Sequence, residues 1–146
     1  MFAGPSSLVP RHRAIRVLVV DDHPLARAAI VDMVVSTAGL VLVGTAHDGR
    51  EGIELAQRVA PDIVLMDVSM PDMSGIEATR RLLETDPGTR VLIFSAEVRR
   101  DVVHDAREAG AAGFVRKGCG ESEAIRAIRF IMAGLPVWPL HLDLSF

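Results

Sequence analysis

Five polar residues of this chain stand at the ends of short strand-like runs, and their types together suit phosphate chemistry. Asp21 and Asp22 follow Arg16-Val17-Leu18-Val19-Val20, and Asp67 follows Ile63-Val64-Leu65-Met66. Ser95 follows Val91-Leu92-Ile93-Phe94, and Lys117 follows Gly113-Phe114-Val115-Arg116. Three carboxylates gathered at one place repel one another, so ionising all of them calls for a cation. Oxygen donors at an open, hydrated site favour Mg2+ over zinc, and Mg2+ keeps coordination positions for a phosphate. A lysine adds a mobile point charge that can meet a phosphoryl oxygen, and a serine hydroxyl adds a donor. That set suits phosphoryl transfer to a carboxylate. Asp67 is the best nucleophile candidate, since its run is the central one, between the acidic pair and Lys117.

Elements of regular structure have to bring these residues together. Apolar runs of this length and branching read as buried strands, and helical patterns separate them. The predicted strands cover about 16–20, 40–43, 63–67, 91–95 and 113–117, and the predicted helices about 24–38, 51–59, 76–84, 99–109 and 121–133. Pro24 suits the first position of its helix. Ala26, Ala29, Ile30, Met33 and Val34 give that helix an apolar stripe. Gly39 and Gly110 suit helix ends. Five βα units of similar length predict an α/β fold, a flavodoxin-like (βα)5 doubly wound parallel sheet in strand order 2-1-3-4-5. In that order the crevice lies at the carboxyl ends of strands one and three, where Asp21, Asp22 and Asp67 would stand side by side.

Composition bounds the function class without naming it. The 146 residues suffice for one domain with a real core. The formal net charge of -3 argues against nucleic-acid binding by bulk electrostatics. The one cysteine, Cys119, rules out an intramolecular disulfide and fits a reducing cytosol. No apolar stretch approaches the ~20 residues of a bilayer span, and no signal-peptide pattern opens the chain, so no membrane partner and a cytoplasmic location are expected. Residues 1–14 read as a loose tail, in which Leu8-Val9-Pro10-Arg11 matches a protease site common in expression tags. Residues 15–133 read as the domain. Residues 134–146, apolar with Pro136 and Pro139, read as a linker start, a strap on the domain surface or a dimer contact.

In order and spacing, Val19-Val20-Asp21-Asp22-His23-Pro24, Met66-Asp67 through Gly75, Phe94-Ser95-Ala96 and Gly110 through Lys117 resemble the receiver domain of bacterial two-component response regulators. Asp-Asp-His-Pro, and a lysine not followed by proline, resemble the NarL/FixJ/LuxR-type subfamily, whose receivers often precede a DNA-binding domain. The resemblance implies that a sensor histidine kinase phosphorylates Asp67. It implies that Asp22 and Asp67 ligate Mg2+ directly, Asp21 does so through water, and the backbone carbonyl of Ser69 completes the protein ligands. Ser95 and Lys117 would contact the phosphoryl group. Phe114 would be a switch aromatic that follows Ser95, working by packing alone because it lacks a hydroxyl. The family's usual Lys-Pro with a cis bond is here Lys117-Gly118, where a cis bond would cost a few kcal/mol. Such a protein catalyses only its own phosphorylation and dephosphorylation and is not otherwise an enzyme.

Blander readings exist for each residue. Asp21 and Asp22 could cap the helix that starts near Pro24. Ser95 could be a turn residue, Lys117 a solvated lysine and Phe114 plain core. His23 is set aside as a solvated loop histidine, because Mg2+ prefers oxygen. The rival function is a phosphohydrolase with an Asp nucleophile. Such enzymes typically carry a second acid two residues on, where this chain has Ser69. The 13 residues after Ala133 are too few for a helix-turn-helix domain. The expectation is therefore a receiver fragment of a longer transcription regulator, touching DNA only through a domain absent here, or a stand-alone receiver acting by protein contact. Self-association is a further expectation.

Overall fold

The computed structural model describes residues 13–139. The 1–12 portion of the predicted tail and residues 140–146 of the C-terminal segment lie outside the described residues. The elements run β1 (Ile15–Val20), α1 (Pro24–Val35), β2 (Leu40–Ala46), α2 (Gly49–Val59), β3 (Ile63–Asp67), α3 (Gly75–Thr85), β4 (Arg90–Ser95), α4 (Arg100–Glu108), β5 (Gly113–Arg116) and α5 (Glu121–Met132). The five strands are parallel in the order β2-β1-β3-β4-β5. This is the flavodoxin-like order expected from the alternation of elements.

The runs are apolar without alternation because both faces of the sheet are covered. Val17, Val19, Ile63, Leu65, Leu92, Phe94 and Val115 pack on the face held by α1 and α5. Leu18, Val20, Val64, Met66, Val91, Ile93 and Phe114 pack on the face held by α2, α3 and α4. Every residue of β3 is buried, from Ile63 to Asp67. The register then decides which strand ends meet: Val20 lies beside Met66, Asp67 beside Phe94, and Ser95 beside Arg116.

Several boundaries differ from the pattern reading, each for a local reason. Helix α1 ends at Val35, short of Ala38. The Thr37 hydroxyl donates to the Met33 carbonyl at 2.6 Å, and the Ser36 and Thr37 amides tighten the last turn. Gly39 then lies beyond the helix with φ +91°, in the turn into β2. Ala29 faces solvent, so the buried stripe of α1 reduces to Met33 and Val34, with Ile30 partly covered. Strand β2 runs three residues past Val43, because its ladder to β1 continues to Ala46 opposite Val20 after a register shift beside Val17 and Leu18. Helices α2 and α3 begin earlier than their apolar periodicity starts. Asp48 and Ser74 cap them by accepting from the amides of Glu51 and Glu77 at 2.8 and 3.1 Å. For α2 the Glu51 carboxylate also accepts from the amide of His47, the residue before the cap. The spacing Asp-x-x-Glu and Ser-x-x-Glu was the available signal. Among the described residues no peptide bond is cis, so Lys117-Gly118 is trans.

Beyond α5 the chain turns back along β5. Val137 bridges Gly113 in parallel, and its carbonyl accepts from the Phe114 amide at 2.8 Å. The Trp138 ring sits 5.3 Å from the Arg107 guanidinium of α4. A side chain at Gly113 would meet the Val137 carbonyl at 2.9 Å, so glycine there permits the close approach.

Candidate functional site

The ends of three strands, β1, β3 and β5, build the site. Asp21 follows β1 and is held by its own backbone: its amide donates to the Ala46 carbonyl at 3.0 Å, and Arg27 donates to its carbonyl at 2.7 Å. Asp67 is the last residue of β3. The loop after it is cinched by the Gly75 amide, which donates to the Val68 carbonyl at 2.8 Å. A Cβ at Gly75 would lie 1.8 Å from the Asp67 carbonyl oxygen. Only glycine lets α3 begin this close to the end of β3. Lys117 follows β5, and its amide donates to the Ser95 carbonyl at 2.8 Å, continuing the sheet pattern by one residue.

These anchors aim Asp21, Asp22, Asp67 and Lys117 at one another. The Lys117 ammonium lies 2.9 Å from Asp21 Oδ2 and 3.1 Å from Asp67 Oδ1, bridging the two carboxylates. The side chains of Asp21 and Asp67 are only 1 % and 3 % exposed, whereas that of Asp22 is 23 % exposed. Burial pushes the Asp67 carboxyl up to about 6; Lys117 opposes that shift, and the charges of Asp21 and Asp22 add to it. Burial alone would lower the Lys117 ammonium, but its contacts with Asp21 and Asp67 win and leave it above its ordinary value.

The donor set fits a divalent cation. Three carboxylates against one ammonium leave the cluster net negative. Asp22 Oδ1 and Asp67 Oδ2 are buried and accept no hydrogen bond, and Asp21 Oδ2 meets Lys117 as an ion pair without hydrogen-bond alignment. Buried acceptors without donors are rare and costly, and a cation is the group that would satisfy these oxygens together. Carboxylate oxygens from Asp21, Asp22 and Asp67 and a ring nitrogen of His23 all lie within 4.8 Å of one another.

The other predicted residues stand further back. Ser95 is buried at the end of β4, with its hydroxyl turned into its own loop: it donates to the Glu97 carbonyl at 2.9 Å and accepts from the Glu97 amide at 3.1 Å. Phe114 is 1 % exposed, packed inside the sheet face that α4 covers. Ser69 is exposed in the loop after β3, where a phosphohydrolase would carry its second acid. From the sequence Gly75 had no separate role, and His23 was set aside as a solvated loop histidine. Gly75 gave a weak signal as the residue after the Ser74 cap. His23 gave a signal in its place beside the acidic pair, but its approach to Asp67 depends on the fold.

A parallel 2-1-3-4-5 sheet with an acidic pocket at its switch point and a lysine across it defines an α/β domain of the flavodoxin-like class. Residues 17–129 match the response regulator receiver domain family, and the chain belongs to it. Among curated relatives it is 44 % identical over 120 residues to response regulator GacA of Pseudomonas viridiflava, covering 82 % of this chain and 56 % of that protein. It is 35 % identical over 120 residues to response regulator UvrY of Escherichia coli K12, covering 82 % and 55 %. The chain thus spans just over half the length of these relatives. Among solved structures, a two-component response regulator of the LuxR family from Aurantimonas sp. SI85-9A1 superposes with a TM-score of 0.81 at 36 % identity, covering 85 % of this chain and 89 % of that one. A Borrelia burgdorferi CheX–CheY–BeF3–Mg2+ complex superposes with a TM-score of 0.77 at 27 % identity, covering 82 % and 90 %. Response regulators are signalling proteins rather than typical enzymes. None of the helices among the described residues is long and apolar enough to cross a membrane.

Proposed function

We propose that Asp67 accepts a phosphoryl group from the phosphohistidine of a sensor histidine kinase. One carboxylate oxygen of Asp67 forms the new bond to phosphorus, the P–N bond to histidine breaks, and the imidazole leaves with a proton from solvent. The observation that carries this reading is the Lys117 ammonium bridging Asp67 Oδ1 and Asp21 Oδ2 while Asp67 Oδ2 has no hydrogen bond. Asp22, Asp67 and the Ser69 carbonyl would hold Mg2+, with Asp21 beside them through water. That ion supplies charge neutralisation between the carboxylates and the phosphoryl oxygens. Lys117 orients the acceptor and then faces the added charge of about -1.5 to -2.

Ser95 would transmit the event. Its hydroxyl would leave Glu97 to donate to the phosphoryl group, and Phe114 would repack into the space released near α4. A full 1:99 to 99:1 shift needs ~5.5 kcal/mol, and one or two charge-assisted hydrogen bonds supply ~1.5–3 kcal/mol each. A partial population shift on the α4-β5-α5 face is the expectation. In this reading residues 15–133 are the receiver, and the segment from 134 is a strap on β5 that leads toward the rest of a longer, cytoplasmic transcription regulator. Contact with DNA would belong to that remainder. Self-association through the apolar C-terminal segment, where Leu135 is half exposed, is part of the proposal; a monomer by light scattering at high concentration refutes that part.

The test is intact mass after incubation with a small acyl-phosphate donor and Mg2+. One phosphoryl group per chain, absent in Asp67→Asn, is expected. No adduct on the unmodified chain, or repeated phosphate release from a generic ester, refutes the reading.

A further inference from the structure

His23 stands in a place that an all-oxygen magnesium site does not require. Its Nδ1 lies 3.0 Å from Asp22 Oδ1, 3.3 Å from Asp21 Oδ1 and 3.6 Å from Asp67 Oδ2. Two of these carboxylate oxygens, Asp22 Oδ1 and Asp67 Oδ2, are the buried ones without a hydrogen-bond donor. Lys117 takes the opposite oxygens, Asp21 Oδ2 and Asp67 Oδ1. The ammonium and the imidazole therefore flank the carboxylates from two sides, and two of the pocket's three buried oxygens without a hydrogen-bond partner, Asp22 Oδ1 and Asp67 Oδ2, are the ones near the imidazole. Neighbouring donors on an ion with bonds of about 2.1 Å are separated by about 3.0 Å in octahedral and about 3.4 Å in tetrahedral geometry. The three separations around Nδ1 match that scale. The Asp21 Oδ1 bond from the His23 amide, at 2.8 Å, fixes the turn that brings the ring over the pocket.

We propose that His23 is a fourth donor of this pocket, and that through its Nδ1 the pocket takes a first-row transition ion such as Zn2+, sharing Asp22 and Asp67 with Mg2+ and competing with it. This rests on the reading of the acidic cluster as a cation site. A nitrogen donor adds little for Mg2+, which prefers oxygen, and much for Zn2+ or Co2+, for which imidazole is a preferred ligand. His23 is thus a residue that sets which metal the receiver holds.

The experiment uses the chain labelled with 15N at its five histidines, titrated with Zn2+ and separately with Mg2+. His23 has an exposed side chain, so His23→Asn leaves the fold intact and identifies its resonance by loss. Zn2+ should move the Nδ1 resonance of His23 into the metal-bound range, and Mg2+ should not. In calorimetry His23→Asn should weaken Zn2+ binding at least about tenfold, the loss usual even for an outer partner of a ligand, and change Mg2+ binding less than twofold. An Nδ1 resonance that Zn2+ leaves unmoved, or equal weakening of both ions, overturns the proposal. Failure of the magnesium reading looks different: Mg2+ then neither binds nor displaces Zn2+, while the His23 resonance still responds to Zn2+.

Discussion

In the metal-free protein, the Asp67→Asn substitution should stabilise the domain, and the gain should depend on pH. Asp67 titrates near 6 in the folded chain against 3.8 when unperturbed. The folded state therefore binds the proton more tightly than the unfolded one. The stabilisation this proton brings is complete below about 3.8 and is lost as pH rises through about 6. At pH 8 the ionised carboxylate costs the folded state about 3 kcal/mol relative to a neutral side chain, at 1.36 kcal/mol per unit. At pH 5 the same linkage leaves roughly half of that. Asparagine keeps the shape and removes the charge, and Lys117 keeps Asp21 as its partner at 2.9 Å. Relaxation of the cluster trims the gain to about 1–3 kcal/mol at pH 8, equivalent to roughly 3–10 °C in Tm. The assay is paired urea or thermal melts at pH 8 and pH 5 with a chelator present. Saturating Mg2+ should then reverse the order, because only the native pocket gains binding energy from the ion. An Asp67→Asn variant less stable than its parent at pH 8 without metal, or a gain equal at both pH values, refutes the electrostatic account.

Three further outcomes follow from the same contacts. Lys117→Met should destabilise the metal-free chain by about 3 kcal/mol, since removing one partner strands two buried carboxylates; urea melts check it, and Mg2+ should recover part of the loss. Gly75→Ala would put a Cβ 1.8 Å from the Asp67 carbonyl, so β3 and α3 must separate; a loss of more than about 2 kcal/mol and weakened Mg2+ binding by calorimetry are expected. Trp138 is the chain's single tryptophan and there is no tyrosine, so its emission reports the strap alone. Arg107→Ala should red-shift that emission and cost about 0.5–1 kcal/mol, measured by fluorescence and urea melts.

Most of the fold was legible in the residues because the sheet is buried on both sides. Burial of that kind demands uninterrupted apolar runs such as Ile63–Met66, and those runs end where the polar residues begin. Helix ends were less legible. The stop of α1 at Val35 turns on the Thr37 hydroxyl reaching Met33, a local competition that apolar periodicity does not register. The extra length of β2 comes from a ladder with β1 that only pairing creates.

The candidate site divides in the same way. The identities of Asp21, Asp22, Asp67 and Lys117, and their places after strands, are sequence properties, since a strand of a given length puts its last residue at the rim. Their separations are not. Asp21 and Asp67 come within 3.1 Å of the Lys117 ammonium because four parallel strands, β1, β3, β4 and β5, stack in one register. The same packing turns the Ser95 hydroxyl toward Glu97, buries Phe114 and swings His23 over the carboxylates. By itself the sequence determined which chemical groups are present and at which strand ends they stand. The tertiary structure decided which of their atoms face one another, because burial, pKa and metal preference depend on distances of a few ångströms between residues far apart in the chain.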